Sequence, residues 1–297
     1  MDNKSVKQKF LSNPFSRVIL GILVCALTFI IAQNVVGKLI EFTSLNKDFR
    51  NLFKGIIASL TVIVAYKIFF RLVEKRKVTE LSTKSIAKNL IFGTLIGVVL
   101  QSLTILVIYL TSGFEIVSIN PISFMIIPFT VAFTVAIFEE ILIRGIIFRI
   151  MEEKLGSIIA LIISAIIFGA LHLFNPNSTL MSGTYVAIEG GLLLGAAYIY
   201  ARNLWLPIAI HFAWNFMQSG VFGAITSGNE KGNGLLTTKL TGPALITGGE
   251  FGPEGTIQAI LFCSIATIIL MYLCKIQNKL IQPYWRNNIM KAIVFKR

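Results

Sequence analysis

Two adjacent carboxylates and an arginine, Glu139, Glu140 and Arg144, sit in a run that is otherwise apolar from Pro121 to Phe148. A membrane-spanning helix takes roughly 20 mostly apolar residues, so these charges fall within a bilayer-length segment. Each costs about 2.5–3.5 kcal/mol there on insertion scales, which makes an intramembrane ionisable group a candidate for chemistry. On a helix, Glu140 and Arg144 are i and i+4 and share a face. Glu139 is turned about 100° away from Glu140. Two readings fit. One is a buried ion pair with a spare carboxylate that locks two helices together. The other is a structural pair, Glu140–Arg144, beside a free general base, Glu139.

The chain has two histidines, His172 and His211, both in apolar stretches. His211 and Asn215 are i and i+4 and project from one helical face. A lone histidine on an apolar face is usually a core residue. Two of them, in a membrane that also holds a Glu-Glu pair, must find polar partners inside the bundle. No Ser or Cys stands beside a histidine in a nucleophile motif; Ser164 lies two turns before His172 without an elbow around it. The set therefore points to activated water rather than a covalent intermediate. Glu139 takes the proton of the water, and His172 orients that water. His211 and Asn215 donate to the oxyanion of a tetrahedral intermediate.

The elements that must position these groups are membrane spans. The 297 residues are 55% hydrophobic and 14% charged, with a mean hydropathy of +0.78. That composition belongs to a polytopic membrane protein. The net charge of +13 is gathered in tails and short connections, a pattern set by membrane topology. The chain carries no aromatic-basic RNA motif and no zinc-finger spacing, so nucleic acid is not an expected partner. Cys25, Cys263 and Cys274 have no ligand spacing and read as buried thiols without disulfides. The first apolar run is longer than a signal peptide core and is read as a retained span.

Hydropathy gives about eight spans, near 18–36, 55–73, 90–110, 122–147, 158–174, 180–200, 205–222 and 257–273. The fold class expected is all-α, a polytopic transmembrane bundle of about eight spans around a central polar cavity. Three regions are expected: N-terminal spans 1–121, a catalytic core 122–222, and a polar loop, last span and basic tail over 223–297. Thr79 to Ala87 is read as a short interfacial helix. Basic loops alternate with basic-poor ones, which puts both termini in the cytoplasm; the Lys38–Lys54 connection fits least well, being basic on the outer side. Gly191 and Gly195 are a small-xxx-small pair suited to close helix packing. Glu189, a third intramembrane carboxylate, either lines the same cavity or bonds a neighbouring hydroxyl.

Three motifs in order on separate spans, Glu139-Glu140-x-x-x-Arg144, Phe168-x-x-x-His172 and His211-x-x-x-Asn215, resemble the CPBP family. These are the CAAX protease and bacteriocin-processing (Abi) intramembrane glutamic proteases, which include the type II CAAX prenyl proteases. Ile143 stands where the family often has an aromatic residue, and the resemblance covers about Ile122 to Phe222. It implies a water-filled cavity and endopeptidase activity, with Glu139 as base, His172 beside it, and His211 with Asn215 at the oxyanion. Glu140, Arg144, Phe168 and Glu189 then have supporting places. No cofactor is expected. Zinc on Glu139, His172 and His211 is the alternative, although no His-Glu-x-x-His sequence is present and the histidines are on different helices. A non-catalytic immunity or scaffold protein that binds a peptide is the alternative from another class. A transporter is less supported, for lack of a repeated pair of broken helices. The Ile-, Lys- and Asn-rich composition suggests a bacterial plasma membrane. The expected partners are the lipid bilayer and peptide or membrane-protein substrates.

Overall fold

A computed structural model describes residues 10–286. The outer parts of both basic tails, residues 1–9 and 287–297, and with them the ends whose cytoplasmic placement is expected, lie outside the described residues. The described residues are mostly helical. The helices are α1 (Pro14–Glu41), α2 (Lys47–Val73), α3 (Ile86–Leu110), α4 (Ile126–Glu140), α5 (Arg149–His172), α6 (Leu180–Val186), α7 (Leu193–Ala201), α8 (Trp205–Asn215), the short α9 (Ala244–Thr247) and α10 (Ile257–Ile276). Their lipid-facing stripes remain apolar and exposed, as at Ile19, Leu23, Leu27 and Ile30 of α1. Such a surface is stable only in a bilayer.

Among the described residues, six helices are long and apolar enough to cross a membrane. Two details reconcile this with about eight spans. The longest helix, Ile122–His172, has 51 residues, but Gly156 interrupts it with φ 75° and ψ 169°. That backbone conformation is essentially open to glycine alone. A Cβ there would also lie 2.7 Å from the Pro283 nitrogen. The chain reverses at this point, because the Phe168 ring returns to 4.6 Å from the Arg144 guanidinium. The other detail is α8 with its π-helical extension Phe216–Val221, which is apolar but falls just short of the usual length of a span.

Three π-helical stretches break the α-helices: Ile141–Phe148, Ala187–Leu192 and Phe216–Val221. The first follows Glu140, the second contains Glu189, and the third follows Asn215. A π-turn re-aims side chains and frees carbonyls, and it recurs at functional sites. Freed carbonyls are used here: Gly145 O accepts from Tyr66 Oη at 2.8 Å and from Arg149 Nε at 2.9 Å.

The loops sort onto two ends of the bundle. At one end Glu74 accepts from Arg17, Arg76 and Arg149, and Arg76 also reaches Glu80. Burial pushes the Glu74 carboxyl up, but the three arginines outweigh it and hold the group below the usual carboxylate range. Arg202 meets Glu152 at 2.7 Å on the same basic side. This network replaces the expected interfacial helix at Thr79 to Ala87. The segment forms turns down to Ser85, because Glu80 O accepts from Leu204 N at 2.8 Å and Ser82 O from Trp205 Nε1 at 3.0 Å. Two of its carbonyls, those of Glu80 and Ser82, are committed to the start of α8 in place of a helical ladder.

At the opposite end, two stretches that sequence reads as plain loop form an antiparallel ribbon. β1 (Phe114–Ile119) pairs with β2 (Leu236–Leu240), with Phe114 opposite Leu240 and a register shift between Ile116 and Ser118. The charge bias between the two ends predicts that the ribbon end faces away from the cytoplasm. In intact cells, an impermeant thiol reagent is expected to label Asn229→Cys and to spare Lys77→Cys. The reverse pattern would invert the topology.

Candidate active site

The first carboxylate pair divides as the helical faces require. Arg144 and Glu140 are both fully buried, and Arg144 Nη1 donates to Glu140 Oε1 at 2.7 Å. Arg144 Nη2 donates to the carbonyls of Gly190 and Gly191 at 2.8 and 3.2 Å. The guanidinium also stacks on Phe168, where it gains from the negative ring face. Those contacts need glycine at 190, since a Cβ would stand 2.6 Å from the Phe168 ring. Gly191 and Gly195 do pack closely: a Cβ at either would collide with Ala165 or Leu161 of α5.

Glu139 points elsewhere. Its side chain is 29% exposed, against none for Glu140. It lines a cavity of about 840 Å³ together with His172, His211 and Asn215. Its Oε2 is buried and bonds no described residue, and it stands 3.9 Å from His211 Nε2. That is too far for a hydrogen bond, but one water can touch both atoms.

Each histidine has one nitrogen fixed. His172 Nδ1 lies 2.9 Å from Phe168 O. A carbonyl only accepts, so Nδ1 carries the proton and Nε2 keeps its lone pair. His211 Nδ1 lies 3.1 Å from Glu140 Oε1 and must likewise donate, which turns Nε2 toward Glu139. Phe168 holds both rings, tilted against His172 at 4.6 Å and edge-on to His211 at 6.2 Å. The residues singled out in the sequence thus come together from α4, α5 and α8. Glu140 has a partner the sequence did not give it. It binds Arg144 and also orients His211.

Among the described residues, Glu189 bonds no neighbouring hydroxyl. It is 5% exposed, its Oε1 bonds no described residue, and it lines a second, inner cavity of about 40 Å³. Two further members of this region, Ser227 and Glu254, belong to no motif in the sequence, and the 223–255 loop carries them back to the site. Glu254 was marked only by being a lone acid in Gly252-Pro253-Glu254-Gly255 just before the last span.

Among the described residues, no three His, Cys, Asp or Glu side chains gather so as to hold one metal ion. Both imidazole Nδ1 atoms are already engaged, and Glu140 is committed to Arg144. The three cysteines are free and buried.

Residues 121–217 match the family described as Rce1-like, type II CAAX prenyl endopeptidase Rce1-like. The matched segment is similar to that family over about a third of the chain, and it holds Glu139, Glu140, Arg144, Phe168, His172, Glu189, His211 and Asn215. No curated protein and no solved structure matches the chain.

Proposed function

We propose that this multi-pass membrane protein, similar to the CAAX endopeptidases over 121–217, hydrolyses peptide bonds of membrane-associated substrates with water activated by Glu139. The observation that carries this is the isolation of Glu139 Oε2. Buried and unbonded, it faces His211 across 3.9 Å in a cavity wide enough for a peptide. A carboxylate engaged in a structural pair, like Glu140, has no such freedom.

In the proposed step a water sits between Glu139 and the lone pair of His172 Nε2. Glu139 takes its proton as the oxygen attacks the substrate carbonyl. The oxyanion that forms accepts from the Asn215 amide and from His211 Nε2–H. That second donor requires a doubly protonated ring, whose charge Glu140 balances through Nδ1. Glu139 then passes the proton to the departing amine, the C–N bond breaks, and acid and amine products leave. The chemistry needs no cofactor in this account.

The cavity mouth lies on the ribbon end, where Asn175, Ser227 and Asn229 line it. With the basic end cytoplasmic, substrates enter from the outer face or sideways from the lipid. Asn215→Ala removes one oxyanion donor and is expected to cost about 100- to 1000-fold in kcat with little change in KM. The check is the rate of product formation from a peptide mixture, read by mass spectrometry with purified protein in lipid discs. Unchanged kcat would remove Asn215 from the oxyanion site.

A further inference from the structure

The inner cavity behind the candidate catalytic residues is not used by the proposed hydrolysis. It shares Phe168, His172, His211 and Asn215 with the outer cavity, so it opens on the place where a scissile bond would lie. Its lining includes two carboxylates from distant parts of the chain. Glu189 comes from the π-turn before α7, and Glu254 comes from the 3-10 turn Pro253–Gly255 that starts the last span. Both are 5% exposed and line the same cavity. No Lys or Arg lines this cavity. The nearest arginine, Arg144, is spent on Glu140 and on two carbonyls.

The two acids differ in what holds them. Glu254 accepts from the Ser227 backbone N–H and, at 3.4 Å, from Trp214 Nε1. Burial pushes its carboxyl up, and these donors and His172 offset that in part. Glu189 has an oxygen with no partner at all among the described residues. The walls are apolar and aromatic, with Leu193, Ile210, Phe168 and Trp214. Apolar walls together with acids suit a long basic side chain, since its stem is hydrocarbon and its head is charged. The aromatic faces favour a cation as well. The volume, about 40 Å³, has room for an ammonium head or a few waters.

We propose that Glu189 and Glu254 form an acidic subsite that receives the positively charged side chain of a substrate residue, Lys or Arg, next to the scissile bond. The cation supplies the missing partner of Glu189 and balances the two acids that share the cavity. Bond cleavage without such a residue remains possible but slower. This inference rests on the endopeptidase proposal for its place in a reaction, but binding alone can test it.

The test uses the full-length chain in lipid discs with two measurements. In the first, a mixed peptide library is digested and cleavage sites are read by mass spectrometry. Wild type is expected to prefer Lys or Arg at one position within two residues of the cut, on the order of tenfold over norleucine. Glu189→Gln, which keeps the side-chain shape, should erase that preference while leaving cuts at uncharged sequences unchanged. Glu254→Gln should do the same. Because Glu254 also anchors Ser227, Glu189→Gln is the decisive variant if Glu254→Gln fails to fold. In the second, fluorescent peptides that differ only in Lys against acetyl-lysine are bound to Glu139→Gln protein. Lys should bind on the order of tenfold tighter, and Glu189→Gln should abolish the difference. Equal binding of the two peptides, or a basic preference that survives Glu189→Gln, overturns the subsite. Absence of any cleavage with intact Lys-selective binding overturns the endopeptidase proposal and keeps the subsite.

Discussion

Glu139→Gln is expected to lower peptide hydrolysis by about 100- to 10,000-fold, the usual range for loss of a general base. The substitution keeps size and most hydrogen-bonding capacity, but an amide cannot accept the proton of the attacking water. Peptide affinity should stay near that of wild type, so the loss appears in kcat and equally in kcat/KM. Protein abundance should not fall, because Glu139 Oε2 bonds no described residue and its loss orphans nothing. The measurement is a paired one, turnover and peptide binding on the same purified preparation. Loss of binding together with turnover would mean that Glu139 holds substrate and is not the base.

Glu140→Ala is expected to fail for a different reason. It leaves Arg144, fully buried, without its 2.7 Å partner, and breaking a buried pair typically costs about 3–5 kcal/mol. It also removes the acceptor for His211 Nδ1. The variant should be scarce in membranes and melt earlier, and the fraction that folds should be inactive because His211 is no longer oriented. The double variant Glu140→Ala, Arg144→Ala removes the stranded charge and should regain part of the abundance but no activity. Abundance of Glu140→Ala equal to that of Glu139→Ala would refute the division of roles between the adjacent carboxylates.

Much of this was legible before any coordinates. Hydropathy alone places the spans, since the bilayer imposes length and apolarity directly on sequence. The i, i+4 spacing gives the Glu140–Arg144 contact even though the chain turns π-helical at Ile141. The pooling of Glu139, His172, His211 and Asn215 follows from the lack of other polar partners within the membrane. What sequence does not reveal depends on contacts between distant segments. The bond from His211 to Glu140 spans 71 residues, and no local rule predicts it. The β1–β2 ribbon joins two short stretches whose register is set only when the helices bring them together. The turns at Thr79 to Ser85 follow from partners on α8 rather than from local helical preference. Glu254 is the clearest case. Its loop is polar and glycine-rich, yet it folds back to put a carboxylate behind His172.

The central claim is that a carboxylate, and no metal, activates the water. Purified protein should be stripped with a strong chelator, shown metal-free by elemental analysis, and given its peptide. The account predicts cleavage at an undiminished rate, abolished only by Glu139→Gln. Loss of cleavage on stripping, restored by one equivalent of zinc, would contradict it and make Glu139, His172 and His211 metal ligands.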